Sequence, residues 1–329
     1  MRKILALSLG LAAFTGCDFY DYADYDYDFE DDWMYTSETA EFARGELLVD
    51  STTFWGDTKG FALGSDGYGA LGMVGMVCSF STTDGFLRSD VDPDEGDEIV
   101  VDAVMLGDGG FATVSMDGRQ VTVSEFPSEW EGAITVDVTV ENTPHDAAIT
   151  DDHIITVNHG DTCLVSRANR DGEPVDQIAL EGGCVSPLAT DPANDRVFIA
   201  TETGTYAIDA DGTVSEMGPP ASLLAWMPES GLLAKGHADE RVVRAWDTSE
   251  KWSTAVEGPL VSLDVIKGGR LVAGVSNDAQ GALIVLDGET GAVLERVETP
   301  AFRRASASPE GGMLAVRGPA ALHLVRVVE

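Results

Sequence analysis

The chain is short of positive charge. Its 329 residues hold 20 Lys and Arg against 57 Asp and Glu, a net charge of −37. Phosphate backbones and anionic lipid surfaces repel such a polyanion, which argues against nucleic acid as a partner class. Long apolar runs are also lacking. Beyond the first residues, none approaches the roughly 18 that a bilayer-spanning helix needs. Helical periodicity is almost missing, because apolar residues alternate or run in fours to sixes between Gly and Asp-Gly turns. Catalytic signatures are scarce. There is no GxSxG elbow, and the five histidines match no zinc spacing.

What is present starts with MRKILALSLGLAAFTGC. Arg2 and Lys3 precede an apolar stretch, Ile4 to Phe14, that has the length of a signal-peptide core and is too short to span a membrane. Thr15 and Gly16 are small and stand before Cys17. This start resembles a bacterial lipoprotein signal. The resemblance implies cleavage of residues 1–16 and lipidation of Cys17, giving an anchor rather than a span. Cleavage removes Arg2 and Lys3 and no acid, so the 20 basic residues fall to 18 and the net charge becomes −39. The implied localisation is exported and lipid-anchored to a bacterial membrane, with the domain in the periplasm or at the cell surface. Asp18 resembles an inner-membrane retention signal of some sorting systems, so the choice of membrane stays open.

Residues 17–44 read as a lipidated cysteine followed by an acidic, aromatic tether. Asp18 to Glu38 holds nine acids and eight aromatics, including five of the seven tyrosines. Like charges this dense extend a chain. About 27 residues reach ~90 Å when fully extended. The aromatic rings leave two readings, a plain spacer and a segment that docks on a basic partner or on peptidoglycan.

Residues 45–329 repeat a loose unit of strand, turn, strand, turn, strand, turn, strand. The clearest is VSLDVIKGGRLVAGVSNDAQGALIVLDGETGAVLERVETP, residues 261 to 300. The same grammar recurs over 59–90, 100–140, 146–180, 185–217 and 222–257. The last unit, from ASASP to Glu329, has only three strands, and GELLVDSTTFW (45–55) is one strand without a unit. A ring in which this N-terminal strand completes the last unit accounts for both. The AWD of residues 245–247, the VLDGETGAV of 285–293 and the SPEGGMLAV of 308–316 resemble those of WD40 or YVTN-repeat proteins. The expected fold class is all-β, a β-propeller of seven blades. Six or eight blades, and then a pair of β-sandwiches, are the alternatives.

Candidate sites are few. Cys163 and Cys184 are the nearest cysteines and the candidate disulfide, with two buried thiols as the alternative. Asp90, Asp92 and Asp94 alternate like the start of a calcium loop, but Glu95 and Val101 hold the places an EF-hand gives to Gly and Glu. A solvated loop is the main reading and weak calcium binding the secondary one; no other cofactor and no other metal are expected. His145, His153 and His159 fall within one unit, Cys78 lies in an apolar run, and Trp226, Trp246 and Trp252 share another unit. The tryptophans are expected to fill space between blades. Residues 235–329 carry 11 basic and 13 acidic side chains, with Arg303 and Arg304 adjacent, so this part is far less negative than the rest.

No catalytic residue is assigned. The function expected is a membrane-anchored, non-catalytic protein-interaction scaffold whose partner is an envelope protein or peptidoglycan. The alternative is a propeller hydrolase, a lactonase or a ligand-binding sensor with its site at the central channel.

Overall fold

A computed structural model describes residues 42–55, 60–63, 68–73, 76–81, 87–91, 99–105, 111–117, 120–126, 134–139, 144–158, 160–185, 188–308, 310–319 and 321–328. These form seven antiparallel four-stranded sheets. The first is β2 (Gly60–Leu63), β3 (Tyr68–Met73), β4 (Met76–Ser81) and β5 (Leu87–Val91). The second is β6 (Ile99–Met105), β7 (Phe111–Asp117), β8 (Gln120–Phe126) and β9 (Ile134–Thr139). The third is β10 (Pro144–Ile149), β11 (His153–Asn158), β12 (Cys163–Asn169) and β13 (Pro174–Leu180). The fourth is β14 (Ala189–Asp191), β15 (Arg196–Ala200), β16 (Thr205–Ile208) and β17 (Val214–Glu216). The fifth is β18 (Leu223–Met227), β19 (Leu232–His237), β20 (Val242–Trp246) and β21 (Glu250–Ala255). The sixth is β22 (Leu260–Ile266), β23 (Arg270–Ser276), β24 (Gln280–Asp287) and β25 (Val293–Pro300).

The seventh sheet joins the two ends of the chain. β26 (Arg304–Ala307), β27 (Met313–Arg317) and β28 (Ala321–Val327) are completed by β1 (Leu48–Trp55). The register runs from Leu48 opposite Val327 to Trp55 opposite Ala321. Each sheet's innermost strand packs on the next in the order β2, β6, β10, β14, β18, β22, β26, and β26 returns to β2. The fold is a β-propeller, as the repeat pattern implied.

The sequence dictates this layering. Middle strands are buried on both faces and read as apolar runs, such as Leu283–Leu286 in β24. Outer strands alternate, as in β25, where Val297 and Thr299 are buried and Arg296 and Glu298 exposed. Turns follow their residues. The Asp287 carboxylate accepts from the Glu289 and Thr290 amides and the Thr290 hydroxyl, and Gly291 takes a φ of 72°.

The core is divided among the seams between sheets. Ile155, Val157, Val197 and Ile199 fill the third–fourth seam, and Phe198, Leu224 and Leu233 the fourth–fifth. Leu263, Leu271, Ile284 and Trp252 fill the fifth–sixth. Val272, Val285, Val297, Leu314 and Val325 fill the sixth–seventh, and Phe61, Leu63, Leu322 and Leu324 the seventh–first. Phe42 and Ala43 are buried in the sixth–seventh seam. Packing against the sheets therefore includes Phe42 and Ala43, ahead of Gly45. A phenyl ring in an acidic, polar stretch gave no sign that a seam far along the chain would take it.

Candidate functional site

Three innermost strands carry ionisable residues toward the ring interior. Asp146 lies on β10, Asp264 on β22 and Arg304 on β26. Asp146 accepts from the Leu188 amide at 2.9 Å and from the Ala147 amide at 3.0 Å. Asp264 is 3.4 Å from the Ala307 amide. Both acids thus receive a backbone N–H from the chain of the following sheet. Burial pushes both carboxyls upward, and Asp264 reaches about 6. Arg304 opposes that rise at both sites, though they belong to the third and sixth sheets. A carboxyl near 6 is suited to proton transfer at neutral pH. Among the described residues, no group of three or more His, Cys, Asp or Glu is placed to hold a metal.

The third–fourth seam is polar at its edge and covalently closed. Cys163 of β12 is bonded to Cys184, which makes an isolated bridge with Thr201 at the end of β15. Arg167 grips Asp176 with two nitrogens, at 2.8 and 2.5 Å, and donates to the Asp209 and Ala210 carbonyls of the fourth sheet. That pairing holds Asp176 below the usual carboxylate range.

The same seam contains a His–Asp pair. His153 Nδ1 is 2.5 Å from Asp195 Oδ2, and the Thr150 hydroxyl bonds the other Asp195 oxygen. Asp195 sits at the C-cap of the 3-10 turn Pro192–Asn194 with a φ of 49°, a left-handed conformation uncommon for a side-chain-bearing residue. A hydrolytic triad needs a hydroxyl on the imidazole nitrogen remote from the acid. The Thr150 hydroxyl is on the acid and on the His153 carbonyl instead. This arrangement clamps two sheets together.

The tryptophans also fill seams. Trp226 stacks on Phe198 with centroids 4.8 Å apart, and Trp252 donates to the Gly288 carbonyl at 2.9 Å. Trp246 lies under the Lys235 ammonium, 4.7 Å from the ring centroid. Lys235 is fully buried and donates to the Met217 and Pro219 carbonyls, which lead from the fourth sheet into the fifth. Burial lowers its pKa to about 8.

Among the residues singled out in the sequence, Cys17, Asp92, Asp94 and His159 lie outside the described residues, as does the acidic stretch 18–35. Asp90 belongs to β5 and pairs across it with Cys78 of β4. His145 lies on β10. The sequence did not single out Asp146, Asp264, Lys235 or the Thr150–Asp195 contact. A usable signal existed for one of them. Asp-Ala follows a register shift in both β6 (Asp102) and β10 (Asp146), which marks an equivalent inner-strand position.

No family model matches the chain, and no curated protein matches it by sequence. Among solved structures, a chain in the crystal structure of a mitotic checkpoint complex superposes with a TM-score of 0.65 at 12% identity. The match covers 90% of this chain and 99% of that one. At that identity the likeness is one of fold.

Proposed function

We propose that this chain is an exported bacterial lipoprotein whose propeller is a non-catalytic protein-interaction scaffold. The carrying observation is the closed ring of sheets with clamped seams, a rigid platform whose loops differ from unit to unit. A propeller of the same fold occurs in a multi-protein assembly, which supports the reading by analogy of fold. The Cys163–Cys184 bond supports an oxidising compartment, and hence export. Residues 1–16 are the signal, Cys17 is the lipidated residue, and the acidic stretch after it tethers the propeller. The partner is an envelope protein or peptidoglycan.

The test is expression of the full chain and of Cys17→Ser in a bacterial host, followed by membrane fractionation and cross-linking. The wild type partitions with membranes, carries the mass of acyl chains, and captures one stoichiometric envelope component. Equal fractionation of both forms defeats the anchor, and absence of any stoichiometric component defeats the scaffold.

The second reading is a hydrolase with its site in the channel, favoured by the raised carboxyl of Asp264. It requires turnover of an ester or lactone that is lost in Asp264→Asn with the fold intact.

A further inference from the structure

Three described Asp-Gly pairs stand in the turns that lead into the outermost strands. They are Asp171–Gly172 between β12 and β13, Asp211–Gly212 between β16 and β17, and Asp287–Gly288 between β24 and β25. The first two turns are built alike. Asn169 N donates to the Glu173 carbonyl and Gly172 N to the Asn169 carbonyl. Asp209 N donates to the Thr213 carbonyl and Gly212 N to the Asp209 carbonyl. Gly172 and Gly212 take φ values of 82° and 83°. In the third turn the Gly288 amide donates to the Gly269 carbonyl. Every one of these glycine amides is engaged, so the pairs differ in what their carboxylates accept.

Asp287 accepts from the Glu289 and Thr290 amides and from the Thr290 hydroxyl. Asp211 accepts from the Thr213 amide at 2.9 Å. In the third sheet that donor is taken elsewhere. The Glu173 amide donates to the Asn169 side-chain oxygen at 2.8 Å, and the Asp171 amide donates to the same oxygen at 3.1 Å. Arg170, next in the chain, turns a guanidinium nitrogen to the Thr150 carbonyl at 3.0 Å. Among the described residues no donor reaches the Asp171 carboxylate, and Asp171 is exposed.

We propose that Asp171 is a site of spontaneous covalent modification, where aspartate converts to isoaspartate through a succinimide formed with Gly172. The reaction needs only water. The Gly172 nitrogen loses its proton and bonds to the side-chain carbonyl carbon of Asp171. The C–O bond of the protonated carboxyl breaks, and one water leaves. Water then opens the imide. Opening at the side-chain carbonyl restores aspartate. Opening at the backbone carbonyl leaves the chain running through the side-chain carbon, with one methylene added to the main chain. Glycine favours the attack because it brings no Cβ against the incoming carboxyl. The electrophile is the neutral carboxyl, since a carboxylate has no leaving group. Donors on a carboxylate stabilise its charged form. The Thr213 side chain and amide hold Asp211 below the usual carboxylate range, and Thr290 and Glu289 do the same for Asp287. Those two pairs are protected by the donors that Asp171 lacks. The added methylene falls in the turn leading into β13, the strand that carries the Asp176 gripped by Arg167.

The experiment is incubation of the full folded chain at neutral pH and physiological temperature. Proteolysis and separation of the isobaric peptides follow, with isoaspartyl methyltransferase labelling as a second readout. Isoaspartate accumulates at Asp171 severalfold faster than at Asp211 or Asp287, since each pKa unit of depression cuts the neutral fraction about tenfold. Asp171→Glu abolishes the signal there, because the longer side chain closes the imide ring poorly. Thr213→Ala raises the signal at Asp211. The proposal is overturned if the folded chain forms no isoaspartate at Asp171 over an interval in which the urea-unfolded chain does. Amounts at Asp211 or Asp287 that equal those at Asp171 overturn it too, as does an unchanged Asp211 signal in folded Thr213→Ala.

Discussion

Asp195 reaches back across the third–fourth seam to two residues of the preceding sheet, taking the Thr150 hydroxyl on one oxygen and His153 Nδ1 on the other. It does so from a left-handed backbone conformation that glycine adopts more easily. The clamp is therefore separable from the backbone that carries it. Asp195→Gly keeps the turn and removes only the carboxylate. The expected loss is about 1–2 kcal/mol, the range for a buried charged hydrogen bond offset by relief of the backbone. Urea titration of Asp195→Gly, Thr150→Ala and the double variant checks it. Losses that simply add show that the two residues are not coupled.

The covalent staple of the same seam closes a loop with a sequence separation of 21. Loop-closure arguments give such a bond about 3 kcal/mol. Replacing Cys163 and Cys184 together by Ser lowers the melting temperature, and a reductant then has no further effect. In the wild type the reductant reproduces the drop. An unchanged melting temperature in the double variant refutes the staple.

Lys235 is a buried cation held by two carbonyls and the Trp246 face. Lys235→Ala removes a donor from both carbonyls, of which Pro219 keeps the Thr205 hydroxyl, and opens a void, with an expected loss of about 2–4 kcal/mol. Its depressed pKa also fixes a pH dependence. The folded value is about 8 against a free value of 10.5, so this contribution is fully present above 10.5 and is lost as pH falls through about 8. Chemical denaturation of the wild type and of Lys235→Met, across that window, isolates it. The slopes differ if the lysine titrates as described and coincide if it does not.

Asp264 has the opposite sign. Its folded value of about 6 lies above the free value of 3.8, so its contribution is present below 3.8 and lost as pH rises through about 6. Asp264→Asn is expected to stabilise the ring at neutral pH by about 1–3 kcal/mol and to give no gain in acid. Guanidinium melts at the two pH values decide this. A variant less stable than wild type at neutral pH means that the carboxylate is better compensated by Arg304 and the Ala307 amide than the pKa implies.

The propeller was legible because its repeat is written in turns. DGETG and DADG fix hairpins locally, and the short apolar runs between them are what doubly buried strands require. Closure by the N-terminal strand was legible from one surplus strand and one missing strand. The seams were not. The contact of Thr150 with Asp195 spans 45 residues and depends on a turn in the neighbouring sheet. The stack of Phe42 on His323 spans nearly the whole chain. Asp146 and Asp264 carry no such signal, because a lone acid in a strand reads as a solvent-facing alternation. Their burial follows from ring geometry rather than from local pattern.

The pairing of β1 with β28 also governs when the molecule can exist at all. The ribosome makes Leu48 long before its partner Val327. Until then the other sheets can form by local hairpins, each emerging in turn, but β1 has no β28 to pair with and the seventh sheet stays incomplete. The first strand must be kept unpaired through the whole of synthesis. An acidic segment just ahead of it, repelling copies of itself, is a fitting guard against premature pairing with a neighbouring chain.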